Sequence, residues 1–124
     1  TLVARGYTVL LETSGSISLK RVNPQVIKII DLKTPSSQMN THNDWTNLSH
    51  VNTHDEIKFV IGNRTDYEWS RSVISHYDLP NRCKTVLFSP VHQVLEPGKL
   101  ASWVCRDRLP VKLQLQLHKY INMP

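Results

Sequence analysis

The chain has 124 residues, with 15 Lys and Arg against 10 Asp and Glu, giving a formal net charge of +5. With 40% hydrophobic and 20% charged residues, the composition is that of one globular domain. The length excludes a complete eight-stranded α/β barrel, which takes about 250 residues.

No apolar run approaches the roughly 18 residues of a membrane span. The first residue is Thr1, and the opening stretch holds only Arg5 as a basic residue, with no cleavage pattern after an apolar core. It reads as chain already inside a fold, a helix end followed by a strand, and not as a signal peptide. Cys83 and Cys105 share no Cys-x-x-Cys context, and two buried reduced thiols in a cytoplasmic protein are expected in place of a disulfide. Asn47-Leu48-Ser49 and Asn63-Arg64-Thr65 match the glycosylation sequon, and without a secretory signal they are read as chance.

In chain order, Tyr7–Leu11 is a short β-branched and aliphatic run that leads into Glu12-Thr13-Ser14-Gly15. A buried strand entering a glycine turn is expected there. Val26–Ile30 is a second such run, with Asp31-Leu32-Lys33 at its carboxyl end. Residues 34–54 are rich in Pro, Ser, Asn, Thr and His and read as a long loop with one helical turn around Asp44–Leu48. Glu56–Ile61 is a third strand, stopped by Gly62-Asn63. Thr65 and Asp66 are N-cap candidates for a helix over Tyr67–His76, in which Trp69, Val73, Ile74 and Tyr77 recur at helical spacing. Val86–Phe88 is a fourth strand ending in Ser89-Pro90. Glu96-Pro97-Gly98-Lys99 opens a second helix carrying Leu100, Trp103 and Val104, and Pro110 stops it. Leu113–Leu117 alternates cleanly as a fifth strand, followed by His118-Lys119-Tyr120.

Strands alternating with helices imply βαβ units and an α/β fold with mainly parallel strands. In such sheets a ligand sits beyond the carboxyl ends of the strands. The polar groups fall there: Glu12 to Gly15, Asp31 to Lys33, Ser89-Pro90 and His118 to Tyr120. The first strand has no visible predecessor, so the sheet is expected to continue N-terminally in a longer parent chain.

Asp31 and Lys33, two apart on a strand, point to the same side, where the Lys can hold a carboxylate or phosphate and the Asp can orient it. A solvated surface pair is the competing reading. Glu12 to Gly15 offers a carboxylate and two hydroxyls to a polar ligand, or is an ordinary turn. Glu56 and Lys58 alternate with Ile57, Phe59 and Ile61, so they face either a ligand or each other as an ion pair. His118 can hydrogen-bond a heterocycle or serve structurally. His42, His50 and His54 crowd the long loop, but no Cys or patterned acid completes a metal set, and a polar loop is expected. The basic residues are scattered without interleaved aromatics, which argues against nucleic acid and suits an anionic small molecule.

Glu12-Thr13-Ser14-Gly15, Asp31-Leu32-Lys33-Thr34-Pro35, Asp55-Glu56-Ile57-Lys58-Phe59, Phe88-Ser89-Pro90 and Leu115-Gln116-Leu117-His118-Lys119-Tyr120 occur in this order. Together they resemble the C-terminal part of the 7-carboxy-7-deazaguanine synthases, radical S-adenosylmethionine enzymes of 7-deazapurine (queuosine) biosynthesis. The resemblance covers essentially the whole chain. It implies that residues 1–124 are the C-terminal portion of a single modified, partial (β/α) radical SAM barrel.

By that resemblance, the complete enzyme converts 6-carboxy-5,6,7,8-tetrahydropterin to 7-carboxy-7-deazaguanine with loss of ammonia. It is a carbon–nitrogen lyase that uses S-adenosylmethionine, a 4Fe–4S cluster and Mg²⁺, and works as a homodimer with no membrane or nucleic-acid partner. The resemblance assigns Glu12, Ser14, Asp31, Lys33 and Ser89 to S-adenosylmethionine. It assigns His118 to the pterin; Lys58, on the polar face of its strand, and the carboxylate of Pro124, six residues after His118, are expected to reach the same substrate. The Cys-x-x-x-Cys-x-x-Cys cluster motif and the Gly-Gly-Glu-Pro-like segment of the family are absent from these 124 residues. Cluster and Mg²⁺ ligands are therefore expected outside this chain, which alone is expected to be inactive. Two other readings stand beside this one: another radical SAM activating or maturation enzyme, and a non-catalytic α/β module that binds an anionic small molecule.

Overall fold

A computed structural model describes residues 10–14, 26–37, 43 and 45–115. Five strands, β1 (Leu10–Ser14), β2 (Ile27–Leu32), β3 (Glu56–Ile61), β4 (Thr85–Pro90) and β5 (Lys112–Leu113), form one sheet in the order β1-β2-β3-β4-β5. Every neighbouring pair is parallel, as the alternation of strands and helices predicts. Helix α1 (Arg64–Tyr77) connects β3 to β4, and α2 (Pro97–Asp107) connects β4 to β5. The long connection from β2 to β3 holds two 3₁₀ turns, Pro35–Ser37 and Trp45–His50. The second of these matches the turn expected near Asp44–Leu48.

The pleat sorts the strands into two rows. Ile30 and Leu32 of β2, Ile57, Phe59 and Ile61 of β3, and Val86 and Phe88 of β4 are buried with Tyr67, Val73 and Ile74 of α1 and Leu100 and Val104 of α2. Phe59 and Tyr67 meet Phe88 edge-on, with ring centroids 5.7 and 6.0 Å apart. The alternate row, Ile29, Asp31, Glu56, Lys58, Val60 and Thr85, is half-buried. Register places Asp31 beside Lys58, and Val60 beside Ser89.

α1 starts earlier than Tyr67. The cap is Asn63, in extended backbone, whose side chain accepts from the Asp66 N–H; neither Thr65 nor Asp66 caps the helix. Asn63 lies outside the apolar periodicity, so the helical spacing alone marks the helix one turn late. Asp78 in the left-handed conformation, φ 54°, closes α1. α2 begins with Pro97 at its first turn and ends on left-handed Arg108, φ 52°. Tyr67 ties the helices together, its hydroxyl donating to Asp107 Oδ2 at 2.5 Å and lying 3.0 Å from the Trp103 carbonyl oxygen. Burial and then the Asp107 carboxylate push the Tyr67 phenol well above its usual range. The same hydrogen bond holds Asp107 below the ordinary carboxylate range.

Four strands differ in their bounds from the sequence expectation. β2 runs over Ile27–Leu32, so Asp31 and Leu32 belong to the strand. β1 runs over Leu10–Ser14, so Glu12 and Ser14 lie within the strand, while Tyr7 to Val9 fall outside the described residues. β4 extends through Ser89 and Pro90. The described part of β5 is two exposed residues, although the Gln114 N–H still donates to the Phe88 carbonyl at 2.9 Å. Gln116 and Leu117 lie outside the described residues.

The cysteines are free, as expected, but only Cys83 is buried; Cys105 on α2 is exposed. Its position on α2 sets it on the solvent side of the stripe formed by Leu100 and Val104. Burial pushes the Cys83 thiol up to about 11.

Candidate functional site

At the carboxyl ends of β2, β3 and β4 lies a cavity of about 430 Å³, within the roughly 300–1,000 Å³ of small-molecule sites. Asp31, Lys33, Thr34 and Ser36 line it from β2 and the turn behind it, Val60, Gly62 and Asn63 from the end of β3, and Val91 and Val94 from the loop after β4. The walls are joined by hydrogen bonds. Thr34 Oγ1 donates to the Val60 carbonyl at 2.9 Å. The Val91 N–H donates to the Ile61 carbonyl, also at 2.9 Å.

Asp31 and Lys33 share a side, as their spacing predicts, and Lys33 Nζ sits 3.2 Å from Asp31 Oδ2. The pair is 27% and 35% exposed on its side chains, open enough to exchange a partner for a ligand. Asp31 Oδ1 is shielded from solvent and has no hydrogen-bond partner among the described residues. That leaves one carboxylate oxygen for an incoming ammonium or hydroxyl, beside an ammonium for an incoming carboxylate. The Lys33 backbone is fixed by Asn43, whose Oδ1 accepts from the Lys33 N–H at 3.0 Å while its Nδ2 donates to the Lys33 carbonyl at 2.9 Å.

The other expected residues group around this pair to different degrees. Ser89 is 1% exposed and stands in register beside the cavity-lining Val60; among the described residues its Oγ has no hydrogen-bond partner. Lys58 lies beside Asp31 in register, one strand over. Among the described residues Lys58 and Glu56 form no ion pair with each other. Register puts Ser14 next to Asp31 and Glu12 next to Ile29. His118 and Pro124 lie outside the described residues, as does His42. His50 ends a 3₁₀ turn, and His54 Nε2 approaches Asp55 Oδ1 at 3.4 Å. Among the described residues no three His, Cys, Asp or Glu side chains converge as a metal site. A three-thiolate cluster therefore does not fit here, with Cys83 buried and Cys105 exposed on α2.

Thr34, Ser36, Asn43 and Asp66 did not stand out in the sequence as site residues. The signals available were the Pro35 turn directly behind the Asp-x-Lys strand end and the Gly62-Asn63 stop opposite it. Both belong to strand ends that a parallel sheet brings together.

A 7-carboxy-7-deazaguanine synthase of Koribacter versatilis is 42% identical over 135 residues, which cover 99% of this chain and 60% of that protein. Its namesake from Chlorobaculum tepidum is 44% identical over 126 residues, covering 99% and 57%. The chain is homologous to the 7-carboxy-7-deazaguanine synthases. A more distant synthase, from Methanospirillum hungatei, is 29% identical and is matched over 50% of its length. The chain thus spans somewhat over half the length of the first two synthases. No family model and no solved structure matches it. Among the described residues, no helix is long and apolar enough to cross a membrane.

Proposed function

We propose that this chain is the C-terminal portion of a 7-carboxy-7-deazaguanine synthase. In that reading the whole protein is a carbon–nitrogen lyase that contracts 6-carboxy-5,6,7,8-tetrahydropterin to 7-carboxy-7-deazaguanine for 7-deazapurine biosynthesis. It uses S-adenosylmethionine and draws the ligands of its 4Fe–4S cluster and Mg²⁺ from residues outside this chain.

The observation that carries the reading is the open Asp31–Lys33 pair at the mouth of the carboxyl-end cavity. The amino-acid end of S-adenosylmethionine is a zwitterion, with an ammonium and a carboxylate on one carbon. Lys33 Nζ offers the carboxylate a charged donor, and the unpartnered Asp31 Oδ1 accepts from an N–H. Ser89, with its spare buried hydroxyl, is assigned to the adenosyl part, and Glu12 and Ser14 are assigned to S-adenosylmethionine as well. Lys58 and His118 are assigned to the pterin, whose own carboxylate suits a lysine. The positive balance of the chain favours both ligands, each of which carries a carboxylate. The complete enzyme is read as a homodimer.

The test uses the full reading frame that contains this chain. Expressed without oxygen and reconstituted with iron and sulfide, it is incubated with S-adenosylmethionine, Mg²⁺, a reductant and 6-carboxytetrahydropterin. The expected result is 7-carboxy-7-deazaguanine by chromatography and mass. A protein that shows its cluster spectrum and cleaves S-adenosylmethionine but leaves this pterin intact would point to another radical SAM enzyme. A protein that takes up no iron yet binds an anionic ligand would point to a binding module. Either result overturns the proposal.

A further inference from the structure

The cavity rim is held from beneath by one carboxylate that does not line it. Asp66, in the first turn of α1, is fully buried. Its Oδ2 accepts from the Gly62 N–H at 2.8 Å and from the Ser36 hydroxyl. Its Oδ1 accepts from the Ser36 N–H at 2.9 Å. Gly62 is the first residue after β3, and Ser36 lies in the turn after β2. One side chain therefore ties the two loops that form opposite walls of the cavity.

The helix does not need this carboxylate as a cap, because Asn63 already serves. The space around it is tight. A Cβ at Gly62 would lie 3.0 Å from Ser36 Oγ, 3.2 Å from Asp66 Oδ2 and 3.4 Å from Val91 Cγ2. The joint is therefore closed by close packing as well as by hydrogen bonds. Ser36 is three residues from Lys33, and the turn between them is itself fixed, with the Ser37 N–H and hydroxyl both donating to the Thr34 carbonyl at 3.1 and 2.6 Å. An amide at position 66 would keep one accepting oxygen, so its nitrogen would face the backbone N–H of Ser36 or of Gly62, both of which the carboxylate accepts from.

We propose that Asp66 is a positioning residue of this cavity: by gripping the Ser36 turn and the Gly62 turn together, it holds Lys33 at its ligand. The inference rests on the reading that the cavity takes S-adenosylmethionine. It assigns to Asp66 no contact with that ligand.

The test is a double-mutant cycle on the dissociation constant of S-adenosylmethionine, measured by calorimetry on the complete enzyme. Asp66→Asn weakens binding about tenfold in the wild-type background and less than about threefold in the Lys33→Ala background, since groups acting through one another are not additive. A purely structural role predicts the same factor in both backgrounds, and that result overturns the proposal. If Lys33→Ala weakens binding and Asp66→Asn does not, the proposal alone fails. If Lys33→Ala leaves binding unchanged, the cavity reading fails and this inference with it.

Should Asp66→Asn fail to fold, judged by near-ultraviolet circular dichroism, Ser36→Ala decides. It removes one of the three bonds from an exposed turn and is expected to weaken binding about threefold, with that loss absent in the Lys33→Ala background. Unchanged affinity in Ser36→Ala, or an equal loss in both backgrounds, overturns the proposal.

Discussion

The two ends of the sheet carry the same pair of residue types and use them in opposite ways. At the amino end, Lys28 Nζ and Asp55 Oδ2 are 3.0 Å apart, with side chains 2% and 0% exposed. The Lys28 and Asn52 N–H groups also donate to that carboxylate, at 2.8 and 2.7 Å. At the carboxyl end, Asp31 and Lys33 hold a similar distance, 3.2 Å, but stay open and leave an oxygen unused. Charge and spacing therefore do not by themselves mark a site. What separates the two is completion: the first pair is enclosed and bonded on several sides, while the second has capacity to spare next to a cavity. This division agrees with the general rule that the amino-terminal face of a β/α sheet serves stability and the carboxyl face serves ligands.

That contrast can be broken most forcefully at Asp55. Asp55→Ala strands a buried ammonium and is expected to cost about 3–5 kcal/mol, seen as a large drop in the urea midpoint. Its counterpart Lys33→Ala is expected to shift stability by no more than about 1 kcal/mol, because the pair it breaks is partly exposed. Equal losses at the two positions would remove the distinction.

Ser89 sharpens it further. Its buried hydroxyl has no partner among the described residues, and an unsatisfied group of that kind carries a desolvation cost of about 1–3 kcal/mol. Ser89→Ala should therefore raise the unliganded stability by about 1 kcal/mol while reducing the stabilisation added by S-adenosylmethionine. A variant destabilised without ligand would place Ser89 with the structural end of the sheet.

The remaining effect is alkaline. Burial raises the Cys83 thiol from 9.0 to about 11, so in that window the unfolded chain has released a proton that the folded chain retains. Stability from this group is complete below 9.0 and is lost as the pH rises towards about 11. Unfolding midpoints followed across this range should fall, and fall less in Cys83→Ala. At neutral pH a thiol reagent should label the exposed Cys105 and spare Cys83 until the protein unfolds.

Much of the carboxyl end was legible because its signals are local. Asp31 and Lys33 are two residues apart, so strand geometry alone puts them together, and β1, β3 and β4 announce their ends with Gly, Pro or Ser. The amino-end pair was not legible in the same way. Lys28 stands in the middle of an apolar run, which says that it needs a partner, but Asp55 lies 27 residues further on. Asp66 read as a cap candidate because an Asp near a helix start usually is one. Its actual partners, Ser36 and Gly62, become neighbours only when β2 and β3 pair. The fifth strand was overextended because clean alternation from Leu113 suggested a long buried face, whereas Leu113 and Leu115 are 41% and 40% exposed.

The strand order has a consequence for how such a protein can be divided and joined. Because each strand bonds only to those beside it in sequence, a cut between two strands severs a single ladder and leaves the ladders on either side whole. A sheet with interleaved strands would lose several at once. Among the described residues β1 bonds to β2 alone, so its other edge is where a further strand can be joined. Two-part reconstitution is thus a topologically simple operation for this molecule, with the cut placed between two neighbouring strands.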